Sequence, residues 1–150
     1  MNIIGVIGGS QVNKRFYEYA RVVGFEIAKR KDAIVCGGLF GVMEAACKGA
    51  KEAGGITIGI LPSSLSSDAN RYVDIAIPTG MNDARNVIIV NTAVGLIVVD
   101  GKEGTLSELA FAIKRKKPVV GISNYNLPGI IKENNPVKAV NKLYKLLGKK

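Results

Sequence analysis

The sequence predicts an α/β protein built on a doubly wound, mainly parallel sheet of about six strands with helices on both faces. Three observations carry this. Short, uninterrupted apolar runs recur along the chain, as in strands covered on both sides. Between them lie segments whose apolar residues return every three or four positions, the stripe of an amphipathic helix. Most junctions from run to stripe are Gly-bearing turns, the grammar of repeated strand–helix units. With 150 residues and no internal boundary or repeat, the chain reads as one domain, 1–150.

Ile3-Ile4-Gly5-Val6-Ile7 is the first strand and ends in Gly8-Gly9-Ser10. Phe16, Ala20, Val23 and Ile27 then give a helix stripe, with Asn13 or Ser10 placed to cap its start. The turn is not GxGxxG, so the dinucleotide fingerprint is missing. Ala33 to Cys36 is the second strand and runs into Gly37-Gly38-Leu39-Phe40-Gly41-Val42-Met43. The helix that follows carries Ala45, Ala46, Gly49, Ala50 and Ala53, small enough to pack closely on the sheet, and Gly54-Gly55 ends it. Ile56 to Leu61 is the third strand.

Pro62 to Arg71 is a polar loop of the length seen in lids and binding loops, though plain surface explains it equally well. Tyr72 to Pro78 alternates and should be a peripheral strand. Asn82 or Asp83 is placed to cap a helix whose first turn holds Arg85 and Asn86. A cation there opposes the helix dipole, and a broken local rule often marks a site; a salt bridge to Asp83 or Asp100 is the structural alternative. Val94 to Val99 is the most apolar strand and should be central. Leu106, Leu109, Ala110 and Ile113 give the next helix its buried face. Pro118 to Ile122 is the last strand, Ser123 to Asn135 a polar connection, and Pro136 opens the final helix.

Composition narrows the chemistry. A hydrophobic content of 47% with 22% charged residues argues against disorder. No run is long enough to span a membrane and no basic leader precedes the first apolar run, so a cytoplasmic protein is expected. Cys36 and Cys47 are too few for a disulfide framework and read as buried thiols. The chain has no histidine, which removes the usual base and the usual zinc ligand; no metal site is expected. The net charge of +9 suits an anionic partner. Yet Lys29-Arg30-Lys31 and Lys114-Arg115-Lys116-Lys117 fall at predicted helix C-termini, where cations offset the dipole. No stripe of basic and aromatic residues accompanies them, so nucleic acid is not the expected partner.

Right-handed crossovers bring every strand-to-helix loop to one sheet edge. Gly8-Gly9-Ser10, Gly37-Gly38-Gly41, Arg85 and Gly101-Gly104-Thr105 therefore share one crevice. Glycines let a ligand approach backbone N–H groups, helix N-termini favour anions, and Arg85 adds a bidentate donor. A phosphate or phosphate monoester is the expected ligand. Thr105-Leu106-Ser107-Glu108 also has the spacing of a capping box, which by itself accounts for Glu108. Glu44, behind Gly41, is equally ambiguous.

Three stretches add a resemblance. Gly37-Gly38-x-x-Gly41-Val42-Met43, Met81-x-x-x-Arg85-Asn86 and Gly101-x-x-Gly104-Thr105-x-x-Glu108 resemble the signatures of the Lonely Guy (LOG) family, once labelled lysine decarboxylases. The similarity covers nearly the whole chain. It implies a Rossmann-like nucleotide-binding fold, a homodimer or homotetramer, and no required cofactor. The characterised enzymes of the family cleave nucleoside 5′-monophosphates to free base and ribose 5-phosphate. Arg85 and Glu108 match their catalytic pair. The Gly-rich loops with Thr105 match their phosphate cradle, to which Met43, Asn86 and Lys102 are neighbours. A carboxylate at Glu108 would steady the oxocarbenium-like charge or orient the water. Nothing points to lysine decarboxylation.

The departures are informative. Asp100 and Lys102 replace a proline and a glycine of the family, the arginine motif is one residue longer and lacks its lysine, and Glu44 replaces a glycine. This pattern resembles a shorter branch that includes molybdenum-cofactor carrier proteins, which bind a phosphorylated pterin without hydrolysis. The bound ligand is accordingly expected to be a nucleoside monophosphate or a molybdopterin-type compound.

Overall fold

The computed structural model describes residues 1–101, 103–122 and 127–148. Among them, strands and helices follow in the order β1 (Ile3–Gly8), α1 (Lys14–Lys29), β2 (Ala33–Cys36), α2 (Val42–Glu52), β3 (Thr57–Leu61), β4 (Ile75–Pro78), α3 (Asn86–Thr92), β5 (Gly95–Val99), α4 (Glu103–Lys114), β6 (Val119–Ile122), β7 (Ile130–Lys132) and α5 (Pro136–Leu146). Two 3₁₀ turns, Ser66–Asp68 and Asn82–Arg85, sit in the connections. All strand pairs are parallel, in the order β4-β3-β2-β1-β5-β6-β7.

The side-chain alternation of the central strands divides the core in two. Ile97 and Val99 of β5 face α1, α2 and α5; Leu96 and Val98 face α3 and α4. Both groups are fully buried, which is why β5 reads as an unbroken apolar run. The expected six strands become seven among the described residues. The seventh, β7, lies in the expected polar connection; it is three residues long, half open to solvent and paired only along β6. Length and exposure together erase any apolar signal. At the other edge β4 starts at Ile75, later than the expected Tyr72, and is peripheral as its alternation implied.

The small residues of α2 pack toward the sheet as expected, except Gly49, which meets α1. A Cβ on Gly49 would lie 1.8 Å from the Arg21 carbonyl oxygen, and one on Gly24 1.9 Å from that of Ala46. These glycines let α1 and α2 touch backbone to backbone, while Ala45, Ala46 and Ala50 join the core. Asn13 caps α1 by accepting the Phe16 N–H at 2.9 Å. The basic run after α4 also serves a neighbour. Lys117 Nζ donates to the Val90, Asn91 and Ala93 carbonyls at 2.6, 3.0 and 2.6 Å and closes the C-terminal end of α3. No helix among the described residues is long and apolar enough to cross a membrane.

Candidate functional site

Strand order reverses on either side of β1, between β2 and β5, and such a switch point leaves a crevice beyond the strand C-termini. A cavity of about 270 Å³ opens there. That is just under the usual lower bound of about 300 Å³ for ligand pockets. Its lining includes Gly8, Gly9 and Ser10 after β1, Gly37 and Met43 around the β2–α2 turn, Arg85 and Asn86 at the start of α3, and Gly104, Thr105 and Glu108 of α4. Loops far apart in sequence therefore meet as the right-handed crossovers require.

Gly38, Gly41 and Gly101, also expected at the ligand, lie outside that lining and shape the loops instead. Gly41 has φ +62°, and a Cβ there would come 2.4 Å from the Gly9 carbonyl oxygen. That oxygen accepts the Val42 N–H at 3.0 Å, so the first two Gly turns are tied together. Gly38 (φ +77°) accepts the Asn70 N–H at 2.9 Å, and Asn70 Nδ2 reaches the Leu39 carbonyl at 2.7 Å. The polar loop from Pro62 to Arg71 is thereby anchored to the β2–α2 turn by a buried residue. Gly101 (φ +139°) packs on the Thr105 side chain. Lys102 lies outside the described residues. Ile7, Gln11, Leu39 and Asp83 complete the cavity and were not anticipated; Gln11 and Asp83 stand beside anticipated residues, whereas Ile7 and Leu39 carry only an apolar signal.

Asp100, where the LOG signature has a proline, has φ +50° and donates its N–H to the Ile122 carbonyl at 3.0 Å. Proline can do neither, because its ring holds φ near about −65° and leaves no N–H. Proline could therefore not stand at this position of the turn after β5.

The Arg85 side chain is buried, contrary to a surface salt bridge. Its Nε donates to the Ile60 carbonyl at 2.9 Å and its Nη1 to Asn86 Oδ1. Nη2 lies against Gly37, where a Cβ would be 2.6 Å away. Asn86 in turn donates to Ser107 Oγ at 3.0 Å and to the Gly104 carbonyl at 3.5 Å. Asn86 thus braces α3 against the first turn of α4, and its amide is spent on that brace. Neither Asn82 nor Asp83 caps α3. Asn82 has φ +50° and opens the 3₁₀ turn that delivers Arg85 to the helix start.

The capping-box reading of Glu108 is corrected by the helix boundary. Helix α4 begins at Glu103, so Thr105 stands in its first turn and not at the cap. The buried face of α4 is Thr105, Glu108, Leu109 and Ala112, while Leu106 and Ala110 are exposed. The face is turned from the expected apolar stripe so that two polar residues point inward. Glu108 is 8% exposed and lines the cavity. Burial pushes its carboxyl up from 4.5 to about 8, against the downward pull of Arg85. Burial likewise lowers the Arg85 guanidinium from its ordinary value, opposed first by Glu108. The pair faces each other in the cavity without a salt bridge among the described residues.

Glu44 accepts a hydrogen bond from the Tyr17 hydroxyl at 2.9 Å and is absent from the cavity lining. Cys36 and Cys47 are buried free thiols with their sulfurs 3.6 Å apart. Cys36 sits directly before Gly37, and the hydrogen bond between the two thiols holds Cys36 below the ordinary thiol value while pushing Cys47 up.

The geometry can therefore hold an anion beside Arg85 and the start of α4, with apolar surface from Ile7, Leu39 and Met43 for a ring. Known structures have the same form. A molybdenum cofactor binding protein from Rippkaea orientalis is 36% identical, with a TM-score of 0.92 over 99% of this chain and 98% of that one. The molybdenum cofactor carrier protein of Chlamydomonas reinhardtii is 33% identical, with a TM-score of 0.89 over 99% of this chain and all of the other. DNA processing protein A of Streptococcus pneumoniae shares the fold at 21% identity, a TM-score of 0.75, and 94% and 61% coverage. A protein of Archaeoglobus fulgidus is 45% identical over 119 residues, 79% of this chain and 78% of its own length. The family model described as the SLOG cluster4 family matches residues 1–146, and the chain belongs to that family.

Proposed function

We propose that this chain binds a phosphorylated pterin of the molybdenum-cofactor class in the cavity beyond β1, and carries it without cleaving it. The observation that supports this best is the full-length likeness to two proteins named for binding or carrying that cofactor. The residues present suit such a ligand. Arg85 has a guanidinium edge beside Gly37, Gly104 and Thr105 stand in the first turn of α4, and Ile7 and Met43 offer apolar walls. Titration with molybdenum cofactor released from a donor enzyme tests the reading. Saturable one-to-one binding, weakened by Arg85→Ala, is expected; no binding would refute it.

Hydrolysis is the second reading, favoured by one feature. A buried carboxyl that keeps its proton near neutral pH, facing an arginine, is suited to protonate a departing base. Incubation with AMP separates the two. A carrier leaves AMP intact. Release of adenine and ribose 5-phosphate, abolished in Glu108→Gln and Arg85→Ala, would establish the hydrolase.

A further inference from the structure

We propose that Glu108 reads the 2-amino-4-oxopyrimidine edge of a fused bicyclic ligand, the edge that guanine and pterins share, and so selects which phosphorylated heterocycle the cavity takes. This deepens the proposed function and rests on its reading of the cavity as a phosphorylated-ligand site.

Among the described residues the Glu108 carboxyl, like the neighbouring Thr105 hydroxyl on the same face of α4, is buried without a hydrogen-bond partner. Glu108 is nine-tenths buried, yet it accepts no hydrogen bond and joins no ion pair among the described residues. Buried polar groups are normally hydrogen-bonded, and a buried carboxyl without partners is costly even when burial keeps it neutral. No side-chain oxygen among the described residues is both sealed from solvent and unpartnered, so the Glu108 oxygens keep a little accessible surface, and the residue lines the cavity. None of the described residues supplies donors to the carboxyl, and a ligand entering the cavity can. Arg85 does not supply them, because Nε and Nη1 are committed to Ile60 and Asn86 and its outer edge lies toward Gly37.

Two neighbouring N–H groups on one planar edge match a carboxylate in the same bidentate way that a guanidinium does. The 2-amino group and adjacent ring N–H of guanine or pterin form such an edge. Ile7 and Met43, both buried, and Leu39 line the same cavity and give the ring apolar faces. A site built around a hydrogen bond discriminates strongly against an analogue that lacks the donor, since the buried acceptor is then stranded. Burial holds the Glu108 carboxyl protonated near neutrality in the free protein, and the two ligand donors compensate the carboxylate when the proton leaves.

The test compares GMP with IMP, which lacks only the 2-amino group, by calorimetric titration. The full chain is expected to bind GMP about ten-fold or more tightly than IMP. In Glu108→Gln that preference should collapse to within about three-fold. A cooperative urea unfolding transition shows that the variant is folded, and a merely structural role would weaken both nucleotides alike. Equal binding of GMP and IMP by the parent overturns this proposal and leaves the phosphate reading standing. Equal weakening of both in the variant also overturns it, placing Glu108 on the shared ribose phosphate. Failure of both nucleotides and of 6-hydroxymethylpterin monophosphate to bind overturns the phosphate reading and this proposal with it. The pterin monophosphate binding more tightly than GMP supports the edge and assigns it to a pterin; the reverse supports it and assigns guanine.

Discussion

Replacing Glu108 by glutamine should make the protein more stable, by an amount that grows with pH. In the unfolded chain this carboxyl titrates near 4.5, and in the fold burial moves it to about 8. Between those values the folded state keeps a proton that the unfolded chain has released. The contribution is therefore most favourable below about pH 4.5, falls as pH rises, and levels off above about pH 8. At about 1.4 kcal/mol per pH unit, the full loss is about 5 kcal/mol. Burial of the group is deep enough that solvent screening takes little of this away. Glutamine has the same shape and stays neutral. Urea unfolding of both proteins at pH 5, 6, 7, 8 and 9 isolates the effect, because every other titration is common to the two. The variant should gain less than about 1 kcal/mol at pH 5, about 3 kcal/mol at pH 7 and about 5 kcal/mol at pH 9. A difference independent of pH, or a parent protein that gains on the variant as pH rises, would refute the reasoning. The second outcome would mean that Arg85 outweighs desolvation and holds Glu108 ionised.

Three other expectations follow from positions outside the chemistry. Gly41→Ala puts a Cβ against the Gly9 carbonyl at a positive φ and should cost about 2–4 kcal/mol in urea unfolding; an unchanged midpoint would show that the two loops are not locked together. Lys117→Met strips three carbonyls of their donor and should lower stability by about 1–3 kcal/mol. A thermal midpoint within error of the parent would remove Lys117 from the closure of α3. Cys36 and Cys47 are both 0% exposed, so a water-soluble disulfide reagent should leave them unmodified in the native protein and label both in urea.

Much of this protein is legible without coordinates. The doubly wound class, the central position of Val94 to Val99 and the convergence of the Gly turns with Arg85 follow from period, run length and the handedness of crossovers. What was misread has identifiable causes. β7 is too short and too exposed to pattern. Gly49 reads as a small residue that packs on the sheet, and only the fold brings the backbone of α1 against it. Lys117 reads as the end of its own helix and instead closes α3, because the chain turns back between them.

The site divides along the same line. Arg85 and Glu108 announce themselves by residue type, spacing and resemblance, and the edge they occupy follows from topology. Only the tertiary structure decided which way Glu108 points and what surrounds it. The spacing Thr105-x-x-Glu108 fits a helix cap and a buried face equally well, and the choice turned on α4 beginning at Glu103, three residues before the Leu106 that a Thr105 cap requires. Side-chain spacing along a helix is a local property of the chain. The angle at which that helix meets the sheet is set by packing against β1, β6 and α3, and that packing turns Glu108 into the cavity and Leu106 out to solvent.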